Sequence, residues 1–343
     1  MGLSQTRATN GHVSRGKPTI IDVAQHAGVS KSLVSLALRG SSGVKPETRQ
    51  HILNVAQELG YRSNTWARNL AQGRSGMIGI LLNDLSSAYH TDIAQGIEAA
   101  ATTVGLSAIL THGHRDEEAL SARLGHMQDL GADGIIVVSA ALNPQHLATA
   151  AARLPIVVVG RPAAVPDTVG SVWNNDELGA RLAVEHLAGL GHTRIAHLSG
   201  SPRPASRARL ASFHTTMTDL ALPEPHQVFH GPHALVHAMG DPATARTAPT
   251  AVFASNDRRA AKLHAAALDA GLRIPEDLAI VGYDNTELAT LLRPQLTSID
   301  QPRHEMGQRA LHMLVDMLGG QPPRRDVVEP RLIARGSTIP NSA

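Results

Sequence analysis

The stretch Thr19–Gly40, TIIDVAQHAGVSKSLVSLALRG, decides how the rest of the chain is read. Thr19 is suited to cap a helix, with Asp22 three residues on to return a bond to the Thr19 backbone and to favour the positive helix end. Ile20, Val23 and Ala24 then repeat at helical spacing and give one apolar face. Ala27-Gly28-Val29 interrupts the pattern at a residue that tolerates left-handed dihedrals. Ser30 is a second cap, followed by Val34, Ala37 and Leu38 at the same spacing. A helix, a glycine turn and a capped second helix form the helix-turn-helix layout, whose second helix enters the major groove of DNA. Its outward face carries Lys31, Ser32, Ser35 and Leu36. Lysine can donate to guanine, serine can pair with several bases, and leucine can only pack, as on a thymine methyl.

Charge supports that reading. Up to Gly76 the chain has 10 Lys and Arg against 3 acids, whereas the remainder carries a small acidic excess. A cationic head on an acidic body suits a phosphate-binding module joined to a partner domain. The chain has no cysteine, which excludes disulfides and thiolate metal sites. Residues Met1–Gly16 are polar, without the apolar core of a secretory signal, and no run is long enough to span a bilayer. A cytoplasmic location is therefore expected.

Outward from the head, residues 1–17 read as a disordered arm. After Gly43, Pro46 opens a third helix with Ile52, Val55, Ala56 and Leu59 on one side, ended by Gly60. Tyr61–Gly76, YRSNTWARNLAQGRSG, predicts a short helix capped by Asn64 with Ala67, Leu70 and Ala71 along one side; Arg68 and Arg74 suit a surface facing DNA. From Met77 the pattern changes to apolar runs between amphipathic segments. Strands are predicted at Met77–Leu82, Gly134–Ser139, Ile156–Gly160, Arg194–Gly200, Ala251–Asp257 and Leu278–Asp284. Helices are predicted at Thr91–Val104, Glu117–Leu130, Glu177–Leu190 and Arg258–Ala270. β-Branched runs between helices indicate parallel sheets covered on both faces, here two doubly wound subdomains of an α/β core.

Ligands of open α/β sheets bind at the carboxyl ends of the strands. Asn83, Asp84 and Tyr89, Gly160 and Arg161, Ser201 to Arg209, Asn256 and Asp257, and Tyr283 to Asn285 are expected there. Carboxylates and amides accept from hydroxyl groups while arginine donates in a fixed fork, so a hydroxylated small molecule fits.

The motif T-x-x-D-V-A-x-x-A-G-V-S-x-x-x-V-S from Thr19 to Ser35 resembles the N-terminal signature of the LacI-type transcription regulators. The likeness continues through Gly179–Ala196, Ser206–Phe213, Ala254–Asp257, Val281–Asp284 and Pro294–Gln301. It implies a ligand-responsive, sequence-specific DNA-binding regulator, a repressor by default, acting as a homodimer on a palindromic double-stranded operator. It also implies a sugar-like effector held between the lobes of a periplasmic-binding-protein-like core. By that resemblance the DNA contacts fall on Thr19, Ser30, Lys31, Ser32, Ser35 and Leu36 in the head and on Asn64, Arg68 and Leu70 in a hinge helix. Leu70 would wedge into the minor groove. Leu36 departs from the arginine common at its position. The effector contacts fall on Asp84, Tyr89, His90, Arg161, Arg209, Phe213, Asn256 and Asp284. The implied division is an arm at 1–17, a head at 18–62, a hinge at 63–76, one core lobe at 77–174 with 302–331, and the other at 175–301 with 332–343.

Other chemistries lack their fingerprints. The 19 histidines include His226, His230, His233 and His237 at helical spacing, but Gly231 and Pro232 interrupt the helix and no H-E-x-x-H accompanies them. His112 and His114 read as loop residues. Neither a dinucleotide or nucleoside-triphosphate loop nor a hydrolase elbow follows any strand, so no cofactor, metal or catalytic residue is assigned. The rival reading, a periplasmic-type binding protein without a DNA role, would need an export signal and no cationic head.

Overall fold

The computed structural model describes residues 18–38, 43–61, 74–139, 141–244 and 246–339. The chain divides into two compact units, Met1–Gly73 and Arg74–Ala343. The first contains α1 (Ile20–His26), α2 (Lys31–Leu38) and α3 (Pro46–Glu58). Thr19 and Asp22 form the expected reciprocal cap: the Thr19 amide donates to Asp22 Oδ2 at 2.7 Å, and the Asp22 amide to Thr19 Oγ1 at 3.4 Å. Gly28 makes the turn at φ +65°, and Ser30 Oγ accepts from the Leu33 amide at 3.2 Å to start α2. Val23, Val34 and Ile52, one from each helix, are wholly buried together.

The second unit is built on two six-stranded sheets. The first contains β1 (Met77–Leu82), β2 (Ser107–His112), β3 (Gly134–Val138), β4 (Ile156–Val159), β5 (Gly170–Asn174) and β11 (Arg325–Val328), in the order β11-β5-β4-β3-β1-β2 and parallel throughout. The second contains β6 (Ile195–Leu198), β7 (Val228–Phe229), β8 (Ala251–Ala254), β9 (Ala279–Asp284), β10 (Thr297–Asp300) and β12 (Arg331–Ile333), in the order β12-β10-β9-β8-β6-β7. Only β12 in it runs antiparallel, against β10. The chain therefore passes between sheets after β5, after β10 and between β11 and β12.

Helices cover both faces of each sheet. On the first lie α4 (Ala88–Thr103) and α12 (Arg303–Leu318) on one side, α5 (Glu117–Asp129) and α6 (Pro144–Ala151) on the other. On the second lie α7 (Asp176–Gly189) and α8 (Pro204–Asp219) on one side, α9 (Pro232–Gly240) and α10 (Asp257–Asp269) on the other. The short α11 (Glu287–Leu291) precedes β10. Burial on both faces explains the near-continuous apolar strands. Helices α4 and α12 approach so closely that a Cβ on Gly96 would run into the His304 carbonyl, and one on Gly307 into that of Ile93. None of the helices among the described residues is long and apolar enough to cross a membrane.

Three sequence expectations need correction. His112 ends β2 instead of lying in a loop. The segment Ser201–Arg209, placed as a whole at a strand's carboxyl end, runs into helix α8 from Pro204. Arg74, assigned to a DNA-facing hinge, belongs to the second unit and donates through Nη2 to the Leu318 carbonyl at 2.8 Å in an exposed bond. Beside it the Asp133 carboxylate accepts from the Ser75 and Gly76 amides, each at 2.7 Å, and so clamps the entry to β1.

The core encloses a histidine. His197 on β6 is wholly buried between Phe213 and Phe253, at ring separations of 5.3 and 4.9 Å. Burial pushes its imidazole down to about 3. In the unfolded chain it titrates near 6.5, so as pH falls below that value the unfolded state gains a proton that the folded state refuses, and stability drops. Between pH 7 and pH 5 this group should cost about 2 kcal/mol. In guanidinium unfolding at those two pH values, His197→Phe should lose about that much less stability than the wild type; equal losses would contradict the assignment.

Candidate functional site

Two surfaces bear on function, one in each unit. In the head, the Ser30 cap sets the start of α2 so that Lys31 and Ser32, its first two residues, are exposed, together with Thr19 and Ser30 themselves. Cationic and hydroxyl donors at an exposed helix start can reach base edges and phosphates. Ser35 is half-buried. Leu36 is also half-buried and packs on the head core, so part of its side chain serves the fold. Asn64, Arg68 and Leu70 lie outside the described residues.

In the core, the strand orders place topological switch points between β1 and β3 and between β6 and β8. At the first, Asp84 follows β1 in a tight turn: its carboxylate accepts from the Ser86 amide at 2.9 Å, the Ser86 hydroxyl at 2.8 Å and Arg115 Nε at 2.7 Å. Burial would raise this carboxyl, but the bonds from Ser86 and Arg115 outweigh it and hold the group well below the usual range. His90 Nδ1 donates to the Asp84 carbonyl at 3.1 Å, which leaves Nε2 as an acceptor. Burial, aided by the charges of Arg203 and Arg115, keeps this imidazole down at about 4 and therefore neutral near pH 7. Tyr89 lies edge-on to His90, and its hydroxyl faces Gly160, which sits at φ +104° after β4. Arg161 follows and pairs with Glu177 of α7 at 2.5 Å.

Opposite them, Arg209 of α8 is only 7% exposed. Its Nε donates to Asp176 Oδ1 at 2.8 Å and its Nη1 to the Ser255 carbonyl at 2.7 Å. The guanidinium lies 3.5 Å from the centroid of the Tyr283 ring, and Asp284 is 3.9 Å away. Burial would weaken the arginine's charge, yet Asp176, Tyr283 and Asp284 together keep it firmly protonated. Burial also raises the Asp284 carboxyl, which accepts from Gln301 Nε2 at 2.5 Å and sits at φ +101°. The Tyr283 hydroxyl accepts from Asn174 Nδ2 at 2.6 Å. The cluster thus ties together the first crossover, through Asn174, and the second, through Gln301. Two further arginines bridge the lobes. Arg303 donates to Asp92 at 2.9 Å and to the Asn285 carbonyl at 3.0 Å, and Arg258 donates to the Ser86 carbonyl at 2.8 Å.

The structure therefore places Tyr89 within electrostatic reach of Arg209 and Asp284, with His90 and Asp84 beside it and Arg161 near Asp176, but treats two expected residues otherwise. Phe213 is wholly buried in the second lobe's core, against His197, and does not line the cleft. Asn256 spends its side-chain oxygen on the Arg259 amide, at 2.9 Å, as the cap of α10. Asp176, Ser255, Arg258 and Arg303 escaped the sequence reading. Asp176 had a signal in N-N-D-E after a strand-like segment; Arg303 had none, because its partners are 211 and 18 residues distant.

Comparison with known proteins matches both parts of the chain. Residues 19–64 match the model of the bacterial regulatory proteins, lacI family, and residues 184–338 that of the periplasmic binding protein-like domain. Catabolite control protein A of Priestia megaterium is 31% identical, over 91% of this chain and 96% of its own. The crystal structure of the Lac repressor dimer bound to operator and the anti-inducer ONPF superposes with a TM-score of 0.80 at 26% identity, covering 94% of this chain and all of that one. A transcriptional regulator CelR–cellobiose complex gives 0.67 at 28% identity, covering 93% of this chain and 99% of that one.

The buried pair makes Arg209 a structural residue as well as a cleft residue. Arg209→Met should destabilise the core by about 3–5 kcal/mol, because it leaves the Asp176 charge buried and alone. Adding Asp176→Asn should restore most of that loss. Urea unfolding of the three chains checks it; a single-variant cost under about 1 kcal/mol, the size of an exposed pair, would refute the assignment.

Proposed function

Because the chain belongs to the lacI family of bacterial regulatory proteins, we propose that its head reads an operator while a small effector in the core cleft sets how firmly the head is held there. The chain is a DNA-binding transcription regulator and not an enzyme. The observation that carries the operator reading is the start of α2. A helix capped by Ser30 presents Lys31 and Ser32 to solvent on a head with an excess of cationic residues. Lys31, Ser32 and Ser35 would read bases, with Leu36 packing at their edge, and Thr19 and Ser30 would hold phosphates. Asn64, Arg68 and Leu70 would form the hinge contacts. A homodimer sets two such helices on half-sites of an inverted repeat, as the two-fold symmetry of the pair requires. Repression is the default outcome, in the cytoplasm.

The division of labour follows residues 18–62 for the head, 63–76 for the hinge, 77–174 with 302–331 for the first lobe, and 175–301 with 332–343 for the second. The effector would be a small hydroxylated molecule, sugar-like in its pattern of donors, bound by Asp84, Tyr89, His90, Arg161, Arg209 and Asp284. Its effect requires unequal affinity for two lobe arrangements, because a ligand shifts an equilibrium only by its differential binding. The clamp of Asp133 on Ser75 and Gly76 gives the first lobe a fixed grip on the chain entering from the hinge.

Selection from a random inverted-repeat library, followed by titration with the full chain, tests the operator claim. Lys31→Ala should weaken the selected site by about 1–3 kcal/mol and relax preference at one base pair of each half-site. Equal affinity of the wild type for selected and random duplexes at physiological salt would overturn it.

A further inference from the structure

The outer edge of the first sheet is covered unevenly. Side chains alternate along its strands, so Val172 and Val328 face α4 and α12 while Trp173, Arg325 and Val327 point to the opposite face. Helices α5 and α6 cover that face over β1, β3 and β4. Over β5 and β11 it meets the loop between β4 and β5 instead, where Val165 packs on the same core. Trp173 is left half-buried and Val327 exposed. Between loop and strands lies a cavity of about 270 Å³, lined by Arg161, Pro162, Ala164, Val165, Trp173 and Arg325 among others.

The lining side chains are hydrogen-bond donors or apolar groups; none carries a carboxylate or a hydroxyl. The Trp173 indole N–H has no acceptor among the described residues. The two guanidinium groups are compensated differently. Arg161 meets Glu177 at 2.5 Å. Arg325 has only the Val165 carbonyl at 3.3 Å and Asp167, a fully exposed carboxylate, at 3.4 Å. An exposed pair of that length contributes little, so Arg325 is available to another anion at small cost. A neutral polyol would bring hydroxyl hydrogens that no side chain of the lining accepts. A carboxylate accepts from a guanidinium in a fork, and a flat ring packs well against an indole.

We propose that this cavity is a second ligand site, apart from the cleft between the lobes, and that it takes a small aromatic carboxylate. Arg325 and Arg161 hold the carboxylate, and the ring lies against Trp173 and Pro162. Asp84, Tyr89, His90, Arg209 and Asp284 take no part in the lining, so the site stands independently of the effector reading. Arg161 joins the two sites. It follows β4 of the first sheet, while Glu177 lies on α7 over the second. An acid that draws on Arg161 therefore competes with a contact between the lobes, and occupancy loosens that contact.

The chain has two tryptophans, so the full chain with Trp66→Phe reports on Trp173 alone. Its fluorescence is followed in titrations with benzoate, 4-hydroxybenzoate and, as the neutral counterpart, benzamide. At least one acid should bind saturably and about tenfold or more tightly than benzamide, a difference one charge-assisted contact can supply. Arg325→Ala should weaken that acid about tenfold. Ala164→Phe, at an exposed loop position, should fill the cavity and block binding, with the melting temperature of the ligand-free chain as the check on folding. Glu177→Gln, which frees Arg161, should tighten binding about two- to fivefold, the worth of a half-exposed pair; weaker binding in that variant would contradict the competition. Benzamide binding as tightly as the acids, or an acid indifferent to both Arg325→Ala and Ala164→Phe, would overturn the site. If such an acid is lost in Tyr89→Ala instead, it lies between the lobes and the cleft reading survives alone. No saturable change in Trp173 fluorescence with either acid at millimolar concentration would also overturn the proposal.

Discussion

The Arg209–Asp176 pair, roofed by Tyr283, is the constraint on which the core depends. A carboxylate that is 2% exposed would be expelled or neutralised without a cation beside it. Arg209 supplies that cation from α8 while Asp176 comes from the start of α7. The guanidinium also binds the end of β8 through the Ser255 carbonyl and lies on the ring at the end of β9. One charge pair therefore fixes two helices and two strand ends around a single point. Gly179 keeps α7 close enough to reach it, because any Cβ there would collide with the Tyr283 phenol.

The pair lies wholly within the second lobe. The contacts that cross the cleft are of a different kind: Arg303 to the Asn285 carbonyl, Arg258 to the Ser86 carbonyl, and the half-exposed Arg161–Glu177 pair. Each net contribution of a hydrogen bond from a charged donor is about 1.5–3 kcal/mol, and less where solvent reaches it. A ligand that gains or loses a few such contacts between two arrangements can supply the 1–3 kcal/mol typical of coupling between sites. The Asp133 clamp ties Ser75 and Gly76 to the first lobe.

Much of this organisation is visible in the sequence. Strands β1, β3, β4, β6, β8 and β9 are short β-branched runs, legible because burial on both faces removes polar residues from them. Helices α4, α5, α7 and α10 follow from period and caps. The strands β2, β5, β7, β10, β11 and β12 escape because they lie at or next to sheet edges, where the pattern is less uniform: β2 mixes exposed and half-buried residues without a period. Helix α8 escapes because its buried side includes Arg209 and Thr216 beside Phe213 and Met217, so it shows no clean apolar stripe. The cleft was legible as a set of polar residues at strand ends, but not as a network. Which arginine meets which carboxylate depends on pairs far apart in the chain, and Phe213 and Asn256 look like site residues until the fold assigns one to packing and the other to a cap.

The central claim is that cleft and operator share one free-energy balance. The direct measurement takes whichever small molecule stabilises the core most and closes a thermodynamic cycle. Operator affinity is titrated with and without saturating ligand, and ligand affinity is titrated on free and on operator-bound protein. Linkage requires the two ratios to agree, and the account predicts a common factor between about 5 and 150. An operator affinity unmoved by a ligand that demonstrably occupies the cleft would contradict it.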